Sequence, residues 1–162
     1  MKPNFRNFAN SKSAANNPHA TRAQALFNEG LALHQKGRLA QAKAIYEKLL
    51  KTQPKHFDAL HLLGVIATQT KNHLLAVQLI DKAIAVNPNI ATAYCNRGDA
   101  LQALKQFDES LMSYDQAINL KADFVEAYNN RGNALLELKR LDEALISYEQ
   151  AIKLKADFAE AY

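Results

Sequence analysis

Residues 91–124 of this chain read ATAYCNRGDALQALKQFDESLMSYDQAINLKADF, and residues 125–158 read VEAYNNRGNALLELKRLDEALISYEQAIKLKADF. The two blocks are identical at 22 of 34 positions. Glycines mark the same 34-residue period along the whole chain, at Gly30, Gly64, Gly98 and Gly132. A fixed period of this length is typical of repeat architectures, in which each unit buries its apolar face on its neighbours. The period therefore decides the fold.

Each repeat reads as two amphipathic helices joined by a short turn, such as Lys71-Asn72-His73. Pro54 and Pro88 are predicted to end the second helix of their units, because proline lacks the amide donor and disfavours helix in the residue before it. Alanine replaces this proline in the last two units. There Asp123 and Asp157 are predicted N-caps.

The residues that recur around each glycine are similar to those of the tetratricopeptide repeat. The recurring positions include Leu26, Leu60, Tyr94 and Tyr128 before the glycine, and Tyr46, Ile80, Tyr114 and Tyr148 after it. The resemblance covers residues 21–158. It implies an all-α fold, a right-handed superhelical solenoid of antiparallel helix pairs, with the first helix of each pair lining a concave face.

The predicted organisation has three parts. Residues 1–20 are basic and rich in asparagine, show no helical periodicity and are expected to form a flexible tail. Residues 21–158 hold four repeat units, at about 23–56, 57–90, 91–124 and 125–158. Residues 159–162 begin a fifth, truncated unit. Because solenoids normally finish with a polar cap, we expect either a longer protein or a last helix that packs on another copy, and the first is favoured.

Composition excludes several classes of protein. With 162 residues, 48% of them hydrophobic and 22% charged, the chain fits a folded domain with a substantial core. No apolar run approaches the roughly 18 residues of a membrane span. A single cysteine, Cys95, permits no internal disulfide and no thiolate zinc site. A reducing, cytoplasmic location is the expectation.

Charge is distributed unevenly along the chain. Residues 1–22 and 23–56 each carry +4, whereas residues 57–162 carry −4. A basic end can attract nucleic acid or an acidic partner. Nucleic-acid binding, however, calls for basic residues interleaved with aromatics on one face, and here the bases fall mainly on the outer helix, in turns or in the tail. We therefore expect no nucleic-acid partner.

Catalytic and metal-binding patterns are not found. The five histidines are never three or four residues apart, as a metal site on one helix face requires: His19, His34, His56, His61 and His73. No glycine-rich phosphate loop or strand-turn-helix elbow holds a nucleophile. Cys95 is expected near the concave face as a passive small residue. The sequence predicts no catalytic residue, no cofactor and no metal, and so a protein that is not an enzyme.

A surface is the remaining candidate for function. Asparagines stand two residues before three of the four glycines, at Asn28, Asn96 and Asn130, while Leu62 takes this place in the second unit. Their spacing predicts a ladder along the inner helices. A side-chain amide both donates and accepts hydrogen bonds, so it can bind the backbone of an extended peptide regardless of the peptide's side chains. Selectivity is predicted to come from neighbouring residues, apolar towards the N-terminus and polar towards the C-terminus: Phe27, Leu31, His61, Val65, Asp99, Asn129 and Asn133.

A different binding mode of the same family is excluded on the sequence. Tetratricopeptide cochaperones bind the acidic C-terminal tail of a chaperone through lysine, asparagine and arginine side chains on their inner helices. The matching positions here are Phe27, Leu31, Leu62, Thr92 and Asn96, so no cationic clamp exists.

The sequence thus predicts a non-enzymatic scaffold that binds a protein or peptide in its concave groove, with neither nucleic acid nor membrane as a partner. The alternative is the N-terminal, substrate-recruiting arm of a larger enzyme such as a bacterial glycosyltransferase. It rests on similarity to the asparagine ladder in the tetratricopeptide arm of O-linked N-acetylglucosamine transferases. Self-association through an uncapped C-terminal helix is a third possibility.

Overall fold

The computed structural model describes the backbone of residues 18–160 and the side chains of residues 22–156. Most of the predicted tail, residues 1–17, lies outside the described residues, as do residues 161–162. The described chain forms eight α-helices: α1 (Pro18–Gln35), α2 (Leu39–Thr52), α3 (Phe57–Gln69), α4 (His73–Val86), α5 (Ala91–Ala103), α6 (Phe107–Leu120), α7 (Val125–Glu137) and α8 (Leu141–Glu160). Helix α1 takes in the last three residues of the predicted tail and begins at a proline, which is favourable in a first helical turn.

The helices pack as consecutive pairs that stack into a solenoid. Each odd-numbered helix packs on the even-numbered helix that follows it, and each pair packs on the next. Helices α3 and α5 also contact each other, as do α5 and α7. The odd-numbered helices therefore form the inner, concave side and the even-numbered helices the outer side. The all-α solenoid expected from the period is confirmed.

Each repeat glycine lies where the two helices of its unit meet. A β-carbon built on Gly98 would lie only 2.5 Å from Cε1 of Tyr114, which is closer than any real contact allows. The same close approach pairs Gly30 with Tyr46, Gly64 with Ile80 and Gly132 with Tyr148. The 34-residue period of glycine is thus the period of a steric requirement.

The last helix carries an apolar stripe that no other described element covers. Leu145 on α8 is 58% exposed, whereas Leu111, its equivalent one unit earlier on α6, is 6% exposed. Leu141 and Ile152 on the same helix are also exposed. The difference arises because α7 packs on α6, while nothing in the described part of the chain packs on this side of α8.

Helix ends agree with the sequence analysis in the first two units and differ in the last two. Helices α2 and α4 end two residues before Pro54 and Pro88, as predicted. The N-cap of α7 is Phe124, without a side-chain cap, while Asp123 is an exposed residue 4.0 Å from the ammonium of Lys121. Helix α8 runs through position 157 to Glu160. Both predicted aspartate N-caps, at positions 123 and 157, are therefore wrong.

The turns inside the units use left-handed backbone. Gly37 has φ +73°, and lysine takes the equivalent place in the other units, with φ between 60° and 62°: Lys71, Lys105 and Lys139. A lysine is strained in this region because its β-carbon approaches the following carbonyl oxygen, whereas glycine is not.

Replacing Lys105 with glycine should therefore raise the free energy of unfolding by up to about 1 kcal/mol. The matched control is Lys82→Gly, at an exposed position inside α4, which should lower it by about 1 kcal/mol because glycine is a poor helix former. Urea denaturation followed by circular dichroism measures both. A loss of stability of the same size in the two variants would contradict this account of the turn.

Candidate functional site

The inner helices present the asparagines of the predicted ladder in two different settings. Asn28 on α1 is exposed, and its Oδ1 accepts a hydrogen bond from Gln24 Nε2 at 3.0 Å. Asn96 on α5 and Asn130 on α7 are half-buried. The first unit therefore carries an exposed amide bonded within its own helix, and the third and fourth units carry amides held between helices.

Both half-buried asparagines donate to the inner helix of the preceding unit. Asn96 Nδ2 lies 2.8 Å from His61 Nε2, and Asn130 Nδ2 donates to Asp99 Oδ1 at 2.8 Å. Since an amide nitrogen only donates, His61 Nε2 is the acceptor and its ring is neutral. Burial favours this state, because it lowers the pKa of His61 to about 4. These bonds fix each amide plane.

Asp99 is a half-buried carboxylate in the third unit. The Tyr114 hydroxyl lies 2.9 Å from both Asp99 Oδ1 and Gln102 Oε1, and its single proton serves one of them at a time. Burial raises the pKa of Asp99 to about 6; the hydrogen bonds from Tyr114 and Asn130 oppose that rise, and the charge of Glu126 adds to it. Near neutral pH this part of the concave face is thus negatively charged.

The predicted selectivity residues fall into two groups. Leu31, Val65, Asp99 and Asn133 take the same place in the four units, directly after the glycine, and all four are half-buried on the inner helices. Asn133 Oδ1 accepts a hydrogen bond from the Tyr148 hydroxyl at 2.7 Å. The structure brings this row together along the concave face, apolar in the first two units and polar in the last two.

The second group lies three residues before the glycine, and its placement was predicted wrongly. Phe27 is 2% exposed and stacks on His56 with ring centroids 5.3 Å apart, while His61 is 1% exposed. Cys95, in the same place in the third unit, is also buried, which raises the pKa of its thiol. These side chains face the following unit instead of the groove. Asn129 is exposed because no described unit follows its own.

Two arginines on the opposite side of the inner helices tie the units together, and the sequence analysis missed them. Arg97 Nε donates to Asp81 Oδ1 of α4 at 2.7 Å, and its Nη1 donates to Ser113 Oγ of α6 at 2.8 Å. One unit later, Arg131 Nε donates to Asp115 Oδ1 at 2.6 Å and its Nη1 donates to Ser147 Oγ at 2.7 Å. The sequence does contain a pattern that could have revealed this contact, since an aspartate lies sixteen residues before each arginine and a serine sixteen residues after it. We call this arrangement the arginine brace.

The described residues hold no group of three side chains suited to bind a metal ion. None of the helices in this part of the chain combines the length and the apolarity that a membrane crossing needs.

Sequence models of the tetratricopeptide repeat match four overlapping stretches of the chain, which together run through all four units. The matched stretches are residues 27–91, 79–112, 98–139 and 125–158.

Several solved structures and several known proteins are also similar to this chain. MamA 41-end from Desulfovibrio magneticus RS-1 has a TM-score of 0.79 at 22% identity, covering 83% of this chain and 76% of that one. A mutant of the Thermobaculum terrenum O-GlcNAc transferase has a TM-score of 0.70 at 27% identity, covering 74% of this chain and 23% of that one. The peroxisomal targeting signal receptor of Saccharomyces cerevisiae is 26% identical over 109 residues, 63% of this chain and 17% of the receptor. The chain thus spans less than a fifth of the receptor and about a quarter of the transferase.

The buried charge of Asp99 predicts a measurable effect on stability. The pKa of this carboxyl is about 6 in the folded state and 3.8 in the unfolded chain. The unfolded chain therefore ionises first, and the fold loses stability progressively as the pH rises from about 4 to about 6. Asp99→Asn keeps an acceptor oxygen for Tyr114 and Asn130 but carries no charge. It should raise the free energy of unfolding at pH 7.5 by about 1 to 3 kcal/mol, and by less at pH 4.5.

Urea denaturation at the two pH values measures the difference between Asp99→Asn and the unsubstituted chain. The histidines with lowered pKa are present in both proteins, so their contribution cancels. Asp142→Asn, at an exposed carboxylate in the first turn of α8, is the control and should give no stabilisation. An Asp99→Asn variant no more stable than the parent at pH 7.5 would show that the charge is not costly.

Proposed function

Because the chain belongs to the tetratricopeptide repeat family, we propose that it is a protein-interaction scaffold whose concave face binds an extended peptide segment. The observation that carries the proposal is the pair of fixed amides, Asn96 and Asn130. Each amide nitrogen binds the preceding unit, where Asn130 also meets the Cys95 thiol, and no hydrogen bond to either Oδ1 is found among the described residues. Two acceptors at equivalent places in successive units suit the repeating N–H groups of an extended backbone.

The hydrogen bonds that hold these amides also support tight binding. A side chain that is already ordered loses less conformational entropy when a ligand arrives. Asn28 is exposed and lies at the far end of the row, so we assign it a weaker contribution. Leu31 and Val65 offer apolar contact to the ligand towards the N-terminal end, and Asn133 offers polar contact towards the other.

Charge on the concave face narrows the kind of ligand. In the last three units, inner helices α3, α5 and α7 carry four carboxylates: Asp58, Asp99, Glu126 and Glu137. Their arginines are Arg97 and Arg131, and both point their guanidinium groups to the outer helices. Along these three helices a strongly acidic segment would meet like charge without a compensating cation. We therefore propose a neutral or basic segment as the ligand.

Similarity to a known receptor supports the binding of another protein as the role of this chain. The name of the yeast relative describes a receptor for a peroxisomal targeting signal. We infer a related use here, the recognition of a segment of another protein, and assign no chemistry to the chain.

The test uses peptides selected for binding to this chain from a display library of random linear dodecapeptides. Replacing both Asn96 and Asn130 with alanine should weaken the selected peptides about 5- to 150-fold, because two hydrogen bonds of about 1 to 3 kcal/mol together are lost. Fluorescence anisotropy gives the dissociation constants. Asn119→Ala, which removes the same amide from an exposed position of outer helix α6, is the matched control and should leave binding unchanged.

Equal affinity in the double variant and in the control would refute the amide ladder. A labelled peptide ending in several glutamate and aspartate residues provides a second comparison, and we expect no tight, salt-sensitive binding of it. Tight binding of this acidic tail would overturn the charge argument.

The match to the O-GlcNAc transferase supports a second candidate, a substrate-recruiting arm of a larger enzyme. The size of the native polypeptide separates the two. An immunoblot of the source cell with an antibody against this chain should show a band near 18 kDa for a separate scaffold. A much larger band would favour the arm.

A further inference from the structure

A pocket of about 370 Å³ lies between the outer helices α2 and α4 of the first two units, with α3 as its floor. It shares no residue with the amide row of the concave face. Its floor and walls are aliphatic, formed by Leu50, Leu63, Ile66, Leu75 and Leu79. Its volume is near the lower end of the range for small-molecule sites.

The pocket exists because the arginine brace is missing at this junction. Between the second and third units, Arg97 fills the corresponding space and binds Asp81 and Ser113. Thirty-four residues earlier the same three places hold Leu63, Glu47 and Leu79, which all line the pocket. Leucine is too short to bridge the two outer helices and has no donor.

Packing at this junction is correspondingly looser. Helix α2 packs on α3 less extensively than α4 packs on α5 or α6 on α7. The space between the outer helices is therefore a property of the sequence at this junction, since the later junctions are filled by the brace.

Charges on the rim indicate the kind of ligand. Lys43, Glu47 and Lys51 follow each other at four-residue intervals along α2, so all three lie on one edge of the pocket. Glu47 is engaged by Lys43 at 3.7 Å. Lys51 has no ion pair within the described residues, and the unit that carries it, residues 23–56, has a net charge of +4.

We propose that this pocket binds a free anionic amphiphile, an alkyl carboxylate of medium chain length. The alkyl chain lies against Leu63 and Leu79, in the space that arginine occupies in the later units. The carboxylate pairs with the ammonium group of Lys51 at the rim. This proposal is independent of the peptide groove, because the two sites are on opposite sides of α3.

The test measures binding of octanoate, hexanoate and octylammonium, each below its micelle concentration, by isothermal titration calorimetry. Octanoate should bind more tightly than hexanoate by about 16-fold, since each buried methylene contributes about a factor of four. It should also bind more tightly than octylammonium, which has the same chain and the opposite charge. Equal binding of octanoate and octylammonium, or no binding of octanoate at millimolar concentration, overturns the proposal.

Two sets of variants locate the site. Leu63→Arg with Leu79→Ser rebuilds the brace of the later junctions against Glu47, so octanoate binding should be lost while the melting temperature is kept or raised. Undiminished binding in the folded double variant overturns the assignment to this pocket. Lys51→Glu, a change at an exposed residue that the fold should tolerate, should reverse the preference from octanoate to octylammonium. Lys48→Gln changes a lysine on the same helix but outside the pocket. It is the control and should keep the preference for octanoate over octylammonium.

Lys51→Glu decides the matter if the double variant does not fold, since an unchanged preference overturns the proposal by itself. Sedimentation with anionic phospholipid vesicles tests the other source of the same chemistry. Association with vesicles in the absence of octanoate binding would mean that the basic first unit meets a lipid surface, and the pocket proposal would then fail.

Discussion

The structure depends on a close approach of two helices that recurs in every unit. A β-carbon at Gly30, Gly64, Gly98 or Gly132 would meet the ring or branched side chain opposite it at 2.5 to 2.6 Å. Only glycine lets the inner helix lie against the outer helix at this distance, and the large partner then fills the remaining space. Because each unit repeats this contact, successive units stack with the same geometry and set the inner helices side by side. The concave face is a consequence of that stacking.

The 34-residue period was enough to predict the eight helices, their pairing and the order of the units, since a steric requirement that recurs in space must recur in sequence. The faces of the inner helices were harder to predict. Phe27 and His61 were assigned to the groove because they neighbour the asparagine row, but their place in the repeat faces the next unit. Asn129 takes the same place and is exposed. The sequence pattern alone does not show which neighbour will cover a residue.

The junctions between units show a second limit of the repeat pattern. Arg97 and Arg131 join outer helices that are far apart in sequence, through partners sixteen residues away on either side. At the first junction leucines take the places of the arginine and the serine, and a pocket is left. A repeat unit thus tolerates either a polar brace or an aliphatic contact at this place, because the glycine contact already fixes each helix pair. Variation at the junction changes the surface and leaves the solenoid intact.

Because the solenoid tolerates variation outside the glycine contact, a charged residue such as Asp99 is not required by the fold and calls for another explanation. The fourth unit shows what the structure needs at this place, which is an oxygen that accepts a hydrogen bond from a tyrosine, and Asn133 supplies it to Tyr148. Asp99 supplies the same acceptor to Tyr114 and adds a charge that burial makes costly, as its raised pKa shows. Asparagine supplies the same acceptor without the charge, and we propose that the carboxylate at this place serves the ligand in the groove. A stability cost borne on a binding surface is a common mark of function, and here it coincides with the amide row that we propose as the peptide site.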